Sequence, residues 1–154
     1  MTDILFYSRD DEYGWLSNFE RAPQVLDGKM YPTNEHYYQS QKTADPALSE
    51  WIRNAPTPYT AMMAGRTCIR KKDLKENWDI LKFNVMYTGL RAKFTDNDKL
   101  LVKLLETGDA ALHENSPSDM IWGIKGKDML GKLLMKVRED FKNDPETLKY
   151  LGIT

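Results

Sequence analysis

Past Pro32 the apolar residues of this chain fall into helical spacing. Leu74, Trp78, Leu81 and Val85 lie on one such face, widened by Phe83, Met86, Leu90 and Phe94. Leu130, Leu133, Leu134, Val137 and Phe141 repeat the pattern later, and Leu100, Leu101, Leu104 and Leu105 do so behind Asp96. Capping residues punctuate these runs. Thr33 or Asn34 predicts a helix to about Thr43, Asp45-Pro46 a second through Trp51 and Ile52, and Asp73 with Glu76 the start of the long one. Residues 54–58, NAPTP, read as a rigid connector before a short helix carrying Met62 and Met63, and the tail from Asp144 adds one more turn. The first thirty residues are different. ILFYS reads as a short strand, and QVLDGKMY sets Asp27-Gly28 between apolar pairs, a hairpin signal. The prediction is a mainly helical α+β fold, one domain over residues 1–154, with a small N-terminal β-sheet.

Composition narrows the function classes. At 154 residues, 41% hydrophobic and 29% charged, the chain is of ordinary globular type. It has no apolar run of membrane-spanning length, and its start, MTDILFYSRDD, is acidic with an apolar part too short for a signal peptide, so a cytoplasmic location without membrane association is expected. The single cysteine, Cys68, excludes an intramolecular disulfide and is expected to be buried as a small hydrophobe. A net charge of −1 argues against broad, charge-driven binding of nucleic acid. One basic stretch, GRTCIRKKDLK at 65–75, is either a solvated loop or a phosphate-holding cluster. His36 and His113 lack the spacing of a metal pair, and Glu106, Asp109 and Glu114 are irregularly spaced, so no metal and no cofactor are expected. No feature specifies an oligomeric state.

The stretch YPTNEHYYQSQK, residues 31–42, holds no aliphatic residue. As a helix it would place Glu35, Tyr38, Gln39 and Lys42 on one face, with His36 and Gln39 on an adjoining one. Glu35 falls in the first turn, where the helix dipole favours a carboxylate. Two roles are open to it: complementing the helix start, or stabilising a cation or activating water in a polar wall. SPSDMIWG offers a second pair, Asp119 and Trp122, before Gly123 and Gly126. An indole can stack on a flat base and glycines admit a ligand to the backbone. A loop closed by a buried tryptophan is the alternative. Trp78 reads as core on its helix, with Asp79 facing outward. Residues 106–128 are long and irregular, a common property of functional loops.

Taken in order, several stretches resemble the NADAR family, in its YbiA-like branch. They are FYS at 6–8, LSNF at 16–19, DGKMYPTNEHYYQSQK at 27–42, MAGR at 63–66, NWD at 77–79, LRAKF at 90–94, LLETGDAALHENSPSDMIWG at 104–123 and LGKLLMKVRE at 130–139. The resemblance implies an N-glycosidase. One branch of the family hydrolyses phosphoribosyl aminouracils of the riboflavin pathway to a free base and ribose 5-phosphate; another removes ADP-ribose from guanine in DNA. It implies Glu35 and Asp119 as the two catalytic acids, with Trp78, Trp122, Asn18, Tyr38, Lys42 and Gly123 binding substrate. Trp122 would stack on the base, and Lys42 or the 66–75 cluster would hold the phosphate. Glu35 would stabilise the oxocarbenium-like state at C1′, and Asp119 would share that task or protonate the leaving amine. The partners implied are a small phosphoribosyl or ADP-ribosyl substrate, or ADP-ribosylated DNA. A non-catalytic ADP-ribose or NAD-binding module is the third reading. Relatives carry a longer glycine-rich loop after the WG, with an asparagine two residues before the LG. Here the link is WGIKGKDMLG, with Asp128 in that place, read as a cap on the last helix.

Overall fold

Asp27 and Gly28 both take positive φ, 52° and 77°, which turns the chain back in a two-residue hairpin. It joins β2 (Gln24–Leu26) to β3 (Lys29–Tyr31) in antiparallel register, Gln24 opposite Tyr31. The apolar Val25–Met30 pair faces solvent, while Gln24 and Tyr31 turn inward. In this computed structural model residues 2–153 are described. Among them lie seven α-helices and two two-stranded sheets, a mainly helical α+β fold. Contacts divide the chain into two compact units, residues 18–96 and residues 1–17 with 97–154.

The 18–96 unit contains the hairpin and four helices. Helix α1 (Asn34–Ser40) starts where Thr33 accepts the His36 N–H on its side chain. Helix α2 (Pro46–Arg53) is capped by Asp45, and α3 (Pro58–Thr67) by a capping box of Thr57 and Thr60. Ile52, Ala61 and Ala64 form an apolar cluster, with Leu48, Ala55 and Ile69 packed on it. Helix α4 (Trp78–Thr95) starts later than expected. Asp73 sits in a single 3₁₀ turn, Lys71–Asp73, and Asn77 in the left-handed region, φ 60°, precedes Trp78. The buried face of α4 runs Trp78, Met86, Gly89, Leu90, Lys93, Phe94. Leu74 and Leu81, expected on it, are exposed: Leu74 precedes the helix, and Leu81 falls on the side turned away from Met86, Leu90 and Phe94. Asp96 does not open a helix; it accepts the Val25 N–H at 2.7 Å and ties the hairpin to the end of α4.

The other unit is built on a pairing with no local signal. Strand β1 (Ile4–Phe6) runs parallel to β4 (Leu112–Glu114), Ile4 beside Leu112. The partner lies inside the stretch read as irregular, so the N-terminal strand and the hairpin belong to separate sheets. Helix α5 (Asp98–Glu106) buries Leu101 and Leu104. Helix α6 (Met129–Lys142) buries Leu130, Leu134, Val137 and Phe141 and packs on β4. Helix α7 (Pro145–Leu151) buries nothing. Among the described residues no helix is long and apolar enough to cross a membrane.

Candidate functional site

Every residue of α1 is buried, although none is aliphatic. The physical condition for this is that polar groups find partners inside. His36 is held at both nitrogens, Nδ1 by Thr33 Oγ1 at 2.8 Å and Nε2 by the Ala55 carbonyl at 2.9 Å. Burial lowers its pKa below the ordinary 6.5. Behind the helix start runs a chain of amides. Gln24 Nε2 donates to Asn34 Oδ1 at 3.1 Å and to the Gly89 carbonyl at 3.2 Å, and Asn34 Nδ2 donates to Asn18 Oδ1 at 2.9 Å. The Asn18 carbonyl accepts the Glu35 N–H at 3.1 Å. A Cβ at Gly89 would stand 2.1 Å from Asn34 Oδ1, so α4 must be bare there.

Glu35 is 8% exposed. Its Oε2 accepts from Gln39 Nε2 at 2.7 Å. Along the same side of α1, the Tyr38 ring meets the Trp78 indole at 5.4 Å between centroids, tilted by 53°, and the Lys42 amine lies 5.5 Å from the Tyr38 ring centre. Burial lowers the Lys42 pKa, Glu35 opposes that shift, and Arg66 and Lys82 add to it. Lys42 is fixed by its backbone as well: the Lys75 N–H donates to its carbonyl at 2.7 Å, and Thr43 bridges to Leu74. Asn18, Glu35, Tyr38, Lys42 and Trp78 thus all belong to the 18–96 unit, on or against α1. Trp78 is buried at the head of α4 with its indole on Tyr38.

Asp119, Trp122 and Gly123 belong to the other unit. Asp119 Oδ1 accepts the N–H groups of Ile121 at 2.9 Å and Trp122 at 2.8 Å, and its own N–H donates to Ser116 Oγ at 3.0 Å. The carboxylate therefore closes the turn that presents Trp122, which is half-buried. Gly123 is buried where a Cβ would meet the Asp119 carbonyl oxygen at 2.7 Å. Asp128 is placed at the head of α6 with φ 57°, but makes no cap hydrogen bond. Its carboxylate pairs instead with His113 Nδ1 at 2.6 Å, joining β4 to the start of α6.

The basic stretch 66–75 is mostly solvated, with Arg66, Arg70, Lys71 and Lys72 exposed. Cys68 is exposed, contrary to expectation, because it sits at the end of α3, past the buried Ala61, Ala64 and Gly65. No group of three His, Cys, Asp or Glu side chains suited to a metal occurs among the described residues.

Sequence reasoning did not find Gln24, Asn34, Gly65 or Gly89, whose part is to support α1. The hairpin pattern pointed the other way, since alternation assigns Val25 and Met30, not Gln24, to the interior, and nothing local marked Gly65 or Gly89.

Comparison with known proteins agrees with this architecture. A family model described as the NADAR domain matches residues 5–142, spanning both units. The chain is 46% identical over 142 residues to the N-glycosidase YbiA of Shigella sonnei, covering 90% of this chain and 88% of that protein. It is 35% identical over 143 residues to riboflavin biosynthesis protein VVA0006 of Vibrio vulnificus, covering 90% of this chain and 38% of that larger protein. The NMR structure of Escherichia coli YbiA matches with a TM-score of 0.84 at 44% identity, over 92% of this chain and 85% of that one. On the extent of the family match and on these identities, the chain belongs to the NADAR family.

Proposed function

We propose that this protein is an N-glycosidase that hydrolyses the C1′–N bond of a phosphoribosylated amine or base, releasing ribose 5-phosphate. The observation that carries the reading is a buried carboxylate, Glu35, in a wall of polar and aromatic side chains with no aliphatic filler. Such a wall is a poor core face and a good surface for a polar, ring-bearing ligand. Two relatives support it by name, one an N-glycosidase and one a riboflavin biosynthesis protein.

Cleaving a glycosidic C–N bond builds positive charge at C1′ and on the ring oxygen. A carboxylate held away from bulk water stabilises that charge more strongly than one in solvent. Glu35 is assigned this role, with the orientation of the attacking water as its second task. Tyr38 and Trp78 shape the wall beside it, Asn18 holds the backbone at Glu35, and Lys42 meets the phosphate. In the other unit, Asp119 is the second acid and Trp122 the stacking surface for the base. Those two assignments rest on motif, and Asp119 has the additional work of closing its own turn.

The test is a parallel incubation with Glu35→Ala as control. One reaction holds phosphoribosyl aminouracils, the other DNA carrying ADP-ribosylated guanine, and mass spectrometry follows ribose 5-phosphate and ADP-ribose. Ribose 5-phosphate released by the wild type alone is the expected result. ADP-ribose released from DNA alone would move the same chemistry to an ADP-ribosylated base. Release from neither, with ADP-ribose still bound, would replace the enzyme by a binding module.

A further inference from the structure

We propose that Gln39 is a positioning residue for Glu35, and that the bare backbone of Gly65 is what holds it there. The inference rests on the reading of Glu35 as the reacting carboxylate. Gln39 lies one turn beyond Glu35 on α1, is 3% exposed, and donates from Nε2 to Glu35 Oε2 at 2.7 Å. Its Oε1 is shut off from solvent and accepts no hydrogen bond among the described residues. An unmet buried carbonyl is a cost that an apolar side chain of the same size would avoid. Packing alone therefore gives no reason for an amide here; aiming its donor at the carboxylate does. An ionised carboxylate only accepts, so the amide must turn its NH₂ toward Glu35 and its carbonyl away.

The carbonyl side is met by α3. A Cβ at Gly65 would stand 2.0 Å from Gln39 Oε1, 2.7 Å from its Cδ and 3.0 Å from its Cβ. Only a glycine lets α3 approach that closely, and the approach blocks the amide from swinging off Glu35. The pair thus orients Glu35, and its hydrogen bond acts on the carboxylate beside the charge of Lys42, which Glu35 also faces.

The direct measurement needs no substrate: a carbon-13 NMR titration of the Glu35 carboxyl in wild type, Gln39→Leu and Gly65→Ala. Removing the donor, or pushing it aside, should move the Glu35 midpoint to higher pH. In the hydrolysis assay kcat should fall on the order of tenfold, the worth of one hydrogen bond to a charged group, with KM unchanged to within about twofold. The acid limb of the pH–rate profile should move upward with the titration. Gln39→Glu keeps the shape of the side chain and carries the test if Gln39→Leu does not fold. Two carboxylates in contact cannot both ionise, so the midpoint should rise there as well. A folded Gln39→Leu or Gln39→Glu protein with an unmoved midpoint and profile overturns the proposal, whatever its melting temperature. Full activity in Glu35→Gln would instead overturn the role of Glu35, and the titration would still decide whether Gln39 controls its charge.

Discussion

At the residue scale the central fact is a carboxylate 8% exposed on a helix whose other side chains are also buried. Glu35→Gln keeps the size of the side chain and removes its charge. Turnover should fall on the order of a hundredfold or more if the charge meets the transition state, while thermal melting stays close to wild type. A steady-state assay beside a melting curve separates the two. Trp122→Ala should raise KM with a smaller effect on kcat, read from the same assay, because stacking acts on the bound base before the bond breaks. Glu35 and Tyr38 stand out in the sequence because their helix lacks aliphatic side chains, but the burial of that whole helix does not follow from the pattern. The surroundings of Cys68 and Asp128 were not legible either. Exposure of the first depends on where α3 ends, and the partner of the second, His113, is fifteen positions away.

At the scale of elements, local chemistry predicted helix starts well where a cap and a proline coincide. Thr33, one of two candidates, and Asp45 make the expected side-chain bonds, and Thr57, read only as part of a connector, caps α3 as well. Asp45→Ala should cost about 1 kcal/mol, the usual worth of such a cap, measured by urea unfolding. Asp73 offered a capping-box spacing with Glu76 and no proline, and it was used in a 3₁₀ turn, since the chain beside it bridges to Thr43 before α4 begins. The strand pair β1–β4 had no signal at all. Each strand is three residues long, and they are more than a hundred positions apart. Its packing on α6 makes a sharp prediction. A Cβ at Gly131 would lie 1.9 Å from the Leu112 carbonyl oxygen, a backbone atom of β4. Gly131→Ala should therefore destabilise by about 3 kcal/mol or more, at the upper end for overpacking, and lower the urea midpoint accordingly.

On the scale of the whole molecule the buried titratable groups set how stability follows pH. Lys93 is fully buried, and desolvation brings its pKa from the ordinary 10.5 down to about 7. Between those two values the unfolded chain holds a proton that the folded chain has released. Unfolding takes up that proton, so stability rises with pH across this window. His36, lowered by burial from 6.5, acts in the same direction at more acid pH. Tyr37, pushed up to about 12 by burial, reverses the trend above pH 10, where the unfolded phenol ionises first. Urea unfolding at pH 7, 8 and 9 should show stability climbing in wild type and a distinctly flatter curve in Lys93→Met.

By itself the sequence determined most helical segments and the Asp27-Gly28 hairpin, because caps, turn residues and spacing act over a few positions; Glu35 and Asp119 it offered as the two catalytic acids only through a family resemblance. Tertiary structure alone decided which strand pairs with Ile4–Phe6, which face of α4 is inside, and what surrounds Glu35. The hydrogen bond from Gln39 could be guessed from its place one turn on. The backbone of Gly65 against that amide, and the chain from Gln24 through Asn34 to Asn18, could not. These depend on elements distant in sequence meeting at van der Waals contact, and spacing along one helix carries no information about what the fold brings against it.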